Sequence, residues 1–263
     1  MNWPVMTWRG LLLYGVIALA LTGCATIDGT GDGAIERGYG PNREAAKVNT
    51  ELAAGYMREG QIKVSVEKAE RAIAFDDSYA PAQHVYALLM AQLGEDDKAR
   101  RAFTRAVRLD GDNPDLANNY GGFLCSQGDY DLAQAMFRRA YSDPLYQTPG
   151  FALVNSGRCY LEAGQSSRAL AQFRTALDKG AQQPAALLGL AQALYATGEP
   201  RKAAEAMRRY EASHRHTPES LQMAIAIDQA LGDDQALKNH RLILRGRFPE
   251  SPEAQALEQG GSR

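Results

Sequence analysis

The 263-residue sequence lacks an excess of charge of either sign, since 29 lysines and arginines stand against 31 aspartates and glutamates. Nucleic-acid-binding proteins usually carry a basic stripe that neutralises phosphates. Mixed charges with a net of −2 give no such stripe. We therefore predict no nucleic-acid partner.

Motifs for catalysis and metal binding are also missing. The sequence has no His-Glu-x-x-His, no glycine-rich phosphate loop, and no Ser or Cys near an evident base. It has four histidines, and the pair His214-Arg-His216 is typical of a solvated turn rather than a metal site. We therefore predict that the protein is not an enzyme and has no site for a metal, a cofactor or a small-molecule substrate.

The apolar run from Leu11 to Leu21 holds only eleven residues. As a helix it would rise about 16 Å, against roughly 30 Å for the hydrocarbon core of a bilayer. Arg9 precedes the run, and Thr22 and Gly23 follow it. A positive residue, a short apolar run and small residues favour an export signal, residues 1–23, over a membrane span.

Leu21-Thr22-Gly23-Cys24 resembles the lipobox of bacterial lipoproteins, in which the cysteine thiol carries the lipid. The resemblance implies a covalent lipid on Cys24. Ala25, where Asp would retain a lipoprotein in the inner membrane, implies anchoring at the periplasmic face of the outer membrane. Residues 24–42 are rich in glycine and poor in apolar side chains, so they predict a flexible tether.

Glycine recurs through the rest of the chain at spacings of 34, 34, 36, 34 and 34 residues. Small or apolar residues occur at fixed offsets on both sides of most of these glycines, and Phe103, Phe137 and Phe173 each stand nine residues after one. Offsets of three, four and seven residues share one helix face, and glycine supplies the left-handed conformation that ends a helix. The glycines are Gly60, Gly94, Gly128, Gly164, Gly198 and Gly232.

This pattern resembles the tetratricopeptide (TPR) signature of two helices per 34 residues. The resemblance implies an all-α fold, a TPR solenoid of six helix-turn-helix repeats over residues 43–251 that forms a right-handed superhelix. The first and last units carry undersized or polar residues at packing positions, which is typical of capping repeats. Residues 252–263 are short and polar, and we predict a frayed tail.

TPR arrays line their concave wall with outward positions of the first helix of each repeat. Several of these positions are apolar in units three to five, which favours a groove for an amphipathic segment of a partner protein. The alternative is that these side chains pack against neighbouring repeats or the tether. The candidate binding residues are Asn118, Phe151, Val154, Arg158, Leu188, Gln192 and Tyr195.

Cys125 and Cys159 fall on the first helices of adjacent repeats. Helices that pack at 8–10 Å can bring such Cα atoms within the roughly 4.4–6.8 Å that a disulfide requires. An exported chain also meets an oxidising compartment. Two readings stay open, a disulfide or two separately buried thiols.

A more specific resemblance lies in units three and four. The stretches Asn118–Cys125 (NNYGGFLC), Asp143–Pro149 (DPLYQTP) and Asn155–Cys159 (NSGRC) are similar to a hallmark of the PilF/PilW lipoproteins of type IV pilus biogenesis. Gly122 and Ser156 depart from the residues expected there. Members act as pilotins, which help the outer-membrane secretin to reach the membrane and multimerise. The resemblance therefore implies a secretin subunit as partner, and we expect a monomer. The repeats alone would also fit a periplasmic TPR lipoprotein that scaffolds or regulates peptidoglycan synthases or envelope proteases.

Overall fold

A computed structural model describes residues 41–180 and 184–260, and these two stretches contain thirteen α-helices and no β-strand. Within them, no helix combines the length and the apolar character needed to cross a bilayer. The predicted signal peptide, Cys24 and nearly all of the predicted tether lie outside the described residues. The helices are α1 (Arg43–Arg58), α2 (Ile62–Phe75), α3 (Ala80–Gln92), α4 (Asp96–Leu109), α5 (Pro114–Ser126), α6 (Tyr130–Tyr141), α7 (Pro149–Glu162), α8 (Ser166–Asp178), α9 (Pro184–Ala196), α10 (Pro200–Ser213), α11 (Pro218–Leu231), α12 (Asp234–Arg247) and α13 (Pro252–Gly260).

Consecutive helices pack as pairs, from α1 with α2 to α11 with α12. We call the first helix of each pair the A helix and the second the B helix. Each B helix from α2 to α10 also contacts the next A helix, and neighbouring A helices contact each other. This arrangement confirms the predicted all-α TPR solenoid of six repeats.

Every A helix is followed by its repeat glycine in the left-handed conformation, with φ between +70° and +78°. A side chain with a Cβ would be strained there, so glycine ends the A helix and lets the chain turn into the B helix. The A helices of repeats three to six begin with a proline. Proline suits the first helical position because its missing N–H would have no partner in the helix anyway.

Glycines of the A helices make room for buried phenylalanine rings of the B helices. A Cβ on Gly121 would lie 2.8 Å from the ring of Phe137, and one on Gly157 would lie 2.8 Å from the ring of Phe173. A Cβ on Gly189, in the next repeat, would be closer still, at 2.3 Å from the same Phe173 ring. Both rings are at most 1 % exposed. The alternation of small and large residues seen in the sequence therefore lets the helix backbones approach across a filled core.

The prediction of a frayed tail after Ser251 is wrong for most of that segment. Residues Pro252–Gly260 form α13, which contacts α11 and α12. Ala254 is buried in a small apolar cluster with Leu221, Ile225 and Leu244. Helix α13 thus covers apolar surface that the last repeat would otherwise leave exposed. Only two apolar side chains, Ala254 and Leu257, carry this contact, too few to give a periodic signal in the sequence.

Candidate functional site: a cleft between three A helices

The A helices α3, α5 and α7 enclose a cleft of about 380 Å³. Its walls are mixed, with amide, charged and apolar side chains, and three of the lining residues come from B helices. We refer to it below as the cleft. The lining residues are Leu88, Ala91, Asp96, Phe103, Asn118, Asn119, Gly122, Phe123, Cys125, Ser126, Phe137, Asn155, Arg158, Cys159 and Glu162.

Two polar pairs join neighbouring A helices, and three of their four residues line the cleft. Asn119 on α5 lies 3.0 Å from Nε2 of His84 on α3, and the Asn155 amide on α7 donates to Oδ1 of Asn118 at 3.0 Å. The two pairs are equivalent by repeat position. In each, a residue nine positions before its own repeat glycine contacts the residue that stands ten positions before the glycine of the preceding repeat. Burial lowers the pKa of His84 below its usual value, and carboxylates at Asp110 and Asp115 only partly oppose this. His84 is therefore neutral at pH 7, with one ring nitrogen that donates and one that accepts a hydrogen bond.

Arg158 is the cationic side chain of the cleft wall and is exposed to solvent. Glu162 stands four residues further along the same helix, and Asp96 adds a second carboxylate from α4. Charges of both signs around amide side chains suit a polar peptide segment better than the apolar face of an amphipathic helix. The structure therefore brings together two of the predicted binding residues, Asn118 and Arg158.

The prediction that Val154 faces a binding groove is wrong. It is 3 % exposed and belongs to the core that spans repeats four to six. It stands ten residues before its repeat glycine, the position that His84 and Asn118 occupy in earlier repeats. That position lies at the contact between neighbouring A helices, so an apolar side chain there packs rather than faces a ligand. Leu188 has the same position in repeat five and is partly buried against the same core.

Three other predicted binding residues lie away from the cleft wall. Phe151 at the start of α7 is 49 % exposed, Tyr195 near the end of α9 is 38 % exposed, and Gln192 is half-buried. None of the three lines the cleft. Sequence reasoning missed Asn119 and Asn155, although both stand in the stretches that carry the family resemblance.

Cys125 and Cys159 are joined by a disulfide, with Cα atoms 5.8 Å apart. Both residues are buried and both line the cleft. The bond links α5 to α7, the two helices that the Asn118–Asn155 pair also joins. The α5 and α7 walls of the cleft are therefore held together by a covalent bond as well as by packing.

The segment that carries the family resemblance also includes the connection between α6 and α7. Tyr146 in this connection is 9 % exposed and packs with Ala117, Ala140 and Ala152. The two extra residues of this repeat therefore form a loop anchored on the A helices of repeats three and four. Burial is the main reason that the pKa of Tyr146 is raised, so its hydroxyl stays protonated.

The turn with His214 and His216 differs from the predicted solvated turn, since both side chains are half-buried. His216 lies near His240 of α12 and Glu211 of α10. No spacing rule links positions 211, 216 and 240, because they come together only through the packing of repeats five and six.

Six helix pairs in a row, with a mixed cleft between three of the A helices, define a TPR-type protein-binding scaffold. A tetratricopeptide repeat family model matches residues 87–149 and 155–216. Across 253 residues, the chain is 26 % identical to the type IV pilus assembly protein PilF of Pseudomonas aeruginosa, covering 96 % of this chain and 99 % of that protein.

Solved structures give the same result. The crystal structure of PilW, described as a widely conserved type IV pilus biogenesis factor, superposes with a TM-score of 0.76 at 30 % identity, covering 81 % of this chain and 98 % of that one. The structure of Pseudomonas aeruginosa PilF gives a TM-score of 0.72 at 25 % identity, over 82 % and 98 % of the two chains. The chain belongs to the PilF/PilW-type family of TPR proteins.

Proposed function

We propose that this protein is an outer-membrane lipoprotein that serves type IV pilus biogenesis as a pilotin. In this role it binds the pilus secretin subunit and promotes its localisation and multimerisation in the outer membrane, without catalysing a reaction. The observation that carries the proposal is the 30 % identity to PilW over 98 % of that chain. The lipobox at Cys24 supplies the anchor that a pilotin needs.

The cleft is the surface that supports partner binding best. An asparagine side chain has two donor hydrogens and an acceptor oxygen. Asn118 and Asn155 each use one polar side-chain atom in the hydrogen bond between them, and both line the cleft. Amide groups arranged in this way can pair with the main chain of an extended peptide. Arg158 adds a charge that selects for a carboxylate on that peptide.

Charge reversal at Arg158 tests the cleft. We expect Arg158→Glu to leave the fold intact, because the side chain is exposed, yet to reduce secretin multimers and surface pili at least tenfold. Arg138→Glu is the matched control, since Arg138 is also exposed, on the B helix α6, and lies outside the cleft. Gly122→Tyr gives a steric counterpart, because a Cβ there has no heavy atom within 4 Å and the side chain would enter the cleft. Circular dichroism and SDS-resistant secretin multimers are the readouts.

The outcomes separate the role from the surface. Normal secretin multimers in a strain that lacks the protein would refute the pilotin assignment itself. Normal multimers with folded Arg158→Glu and Gly122→Tyr variants, but not in the deletion strain, would show that another face binds the secretin. If Arg138→Glu also lost function, the loss would come from the change in net charge and not from the cleft.

The anchor has its own test. Cys24→Ala removes the thiol that would carry the lipid, so we expect no labelling by a fatty-acid analogue and loss of the protein from outer-membrane fractions. Each acyl chain contributes about 0.8 kcal/mol per buried methylene, which is why its loss should release the protein. Unchanged labelling of Cys24→Ala would contradict the lipoprotein assignment.

A further inference from the structure

Three potential metal ligands converge at the C-terminal end of the solenoid. Glu211 lies on α10, His216 lies in the turn between α10 and α11, and His240 lies on α12. One ligand atom from each lies within 4.8 Å of the others. We call these three residues the histidine cluster. It is separate from the cleft and has no part in the proposed pilotin function.

His240 is oriented as histidine ligands usually are. Its Nδ1 lies 2.7 Å from Oδ2 of Asp228, a carboxylate on α11 that is only 8 % exposed. This contact leaves Nε2 for the cluster, 3.6 Å from Oε1 of Glu211. A carboxylate behind a histidine fixes the ring and makes the other nitrogen a better ligand, an arrangement that is general among metal-binding histidines.

His216 supplies the second imidazole. Its ring centroid lies 5.8 Å from that of His240, with the planes at 70°. Two imidazoles on one tetrahedral zinc ion, with Zn–N bonds of about 2.0–2.1 Å, place their ring centroids about 5 Å apart. Nδ1 of His216 is buried and has no hydrogen-bond partner among the described residues. Burying such a group without a partner is costly, and a metal ion coordinated by this nitrogen would supply the partner.

We propose that the histidine cluster binds a divalent transition metal, with zinc as the first choice. Glu211, His216 and His240 are the ligands, a water takes the fourth position, and Asp228 orients His240. Two imidazoles and one carboxylate suit zinc, whereas calcium and magnesium prefer oxygen ligands alone. Ligand atoms around tetrahedral zinc lie about 3.3 Å apart, so small side-chain rotations close the site. The ion links α10 and α12, the B helices of the last two repeats, to the turn between α10 and α11.

Zinc titration of the full-length, tag-free protein in detergent micelles tests the site. After chelator treatment, isothermal titration calorimetry should show about one tight site per chain, in the micromolar range or below. Loss of an outer-shell carboxylate alone typically weakens metal sites about 10–100-fold, so we expect His216→Ala and Glu211→Gln to weaken binding at least about 100-fold. These two variants carry the test, because His240→Ala would also leave Asp228 buried without its partner. X-ray absorption of the zinc complex should show nitrogen and oxygen ligands only.

His214→Ala is the matched control. His214 has the same chemistry two residues away, but it is not a member of the histidine cluster, so this variant should bind zinc as the unchanged protein does. The melting temperature should rise with zinc in the unchanged protein and in His214→Ala, but not in His216→Ala. The proposal fails if the unchanged protein binds no stoichiometric zinc at micromolar concentration. It also fails if His214→Ala loses binding as severely as His216→Ala.

Discussion

Gly189 offers the sharpest test of how the repeats pack. It lies in the middle of α9, where a glycine is normally unfavourable, and Gly→Ala at an open helix site stabilises a protein by up to about 1 kcal/mol. In this position we expect the opposite. A Cβ would stand 2.3 Å from two ring atoms of Phe173, which is fully buried. The same ring also lies against Gly157 on α7, so it has little room to retreat.

The magnitude follows from these two opposing effects. Overpacking a well-filled core costs about 1–3 kcal/mol, and an approach of 2.3 Å belongs at the upper end. Subtracting the gain in helix propensity leaves Gly189→Ala destabilised by about 2 kcal/mol. Gly122→Ala is the matched control, because Gly122 is exposed in the middle of α5 and its Cβ would meet nothing within 4 Å. It should be stabilised by about 1 kcal/mol.

Thermal unfolding followed by circular dichroism at 222 nm measures both variants. For a chain of this size, about 1 kcal/mol corresponds to roughly 2–4 °C in Tm. We expect Gly189→Ala to melt about 4–8 °C lower and Gly122→Ala about 2–4 °C higher than the unchanged protein. If Gly189→Ala melts at or above the unchanged protein, the close approach of α9 to Phe173 is not what makes glycine necessary there.

Two further predictions concern the disulfide and the histidine cluster. Replacing Cys125 and Cys159 by alanine should lower the free energy of unfolding by about 3–4 kcal/mol, the chain-entropy value for a loop of this length; two alkylatable thiols in the intact mass of the non-reduced protein, besides any at Cys24, would contradict the bond. In chelated, metal-free protein, hydrogen bonding to Glu211 and then the carboxylate of Asp228 raise the pKa of His240 to about 9. Because the folded-state pKa is raised, this stabilisation is present below about pH 6.5 and is lost as the pH rises through 9. Burial also raises the pKa of Asp228, so keeping that carboxylate ionised offsets part of the stabilisation that protonated His240 provides. We therefore expect Tm to fall by the equivalent of about 1–2 kcal/mol between pH 6.5 and 10. In His240→Asn, Tm should stay unchanged over the same pH range.

Much of the fold could be predicted because it repeats. The turn glycine recurs in all six units, the buried phenylalanine nine residues after it recurs in units two to four, and small residues recur at fixed offsets around them. Weak local signals therefore add up along the array. Helix α13 escaped the prediction because it occurs once and contributes only Ala254 and Leu257 to the core. A single short contact has no period that could be recognised.

The binding surface was harder to predict because one repeat position has different neighbours in different repeats. Asn118 and Val154 both stand ten residues before their glycine. Asn118 meets a polar side chain, Asn155, nine positions before the next glycine. In the repeat that follows Val154, the residue nine positions before the glycine is Gly189, which has no side chain to pair with. Exposure at this position therefore depends on the sequence of the adjacent repeat, which a template of a single repeat does not contain.

The disulfide has a consequence for how the solenoid comes apart. In a linear array each repeat is stabilised only by its neighbours, so unfolding can begin at either end and move inward one unit at a time. The bond between Cys125 and Cys159 joins the A helices of repeats three and four, so an unfolding front from either end meets a boundary that it cannot pass without losing both units together. The two middle repeats then behave as a single cooperative block flanked by two arms that open independently. The α5 and α7 walls of the cleft belong to that block and stay together while the arms fluctuate, whereas its α3 wall belongs to repeat two and moves with the N-terminal arm.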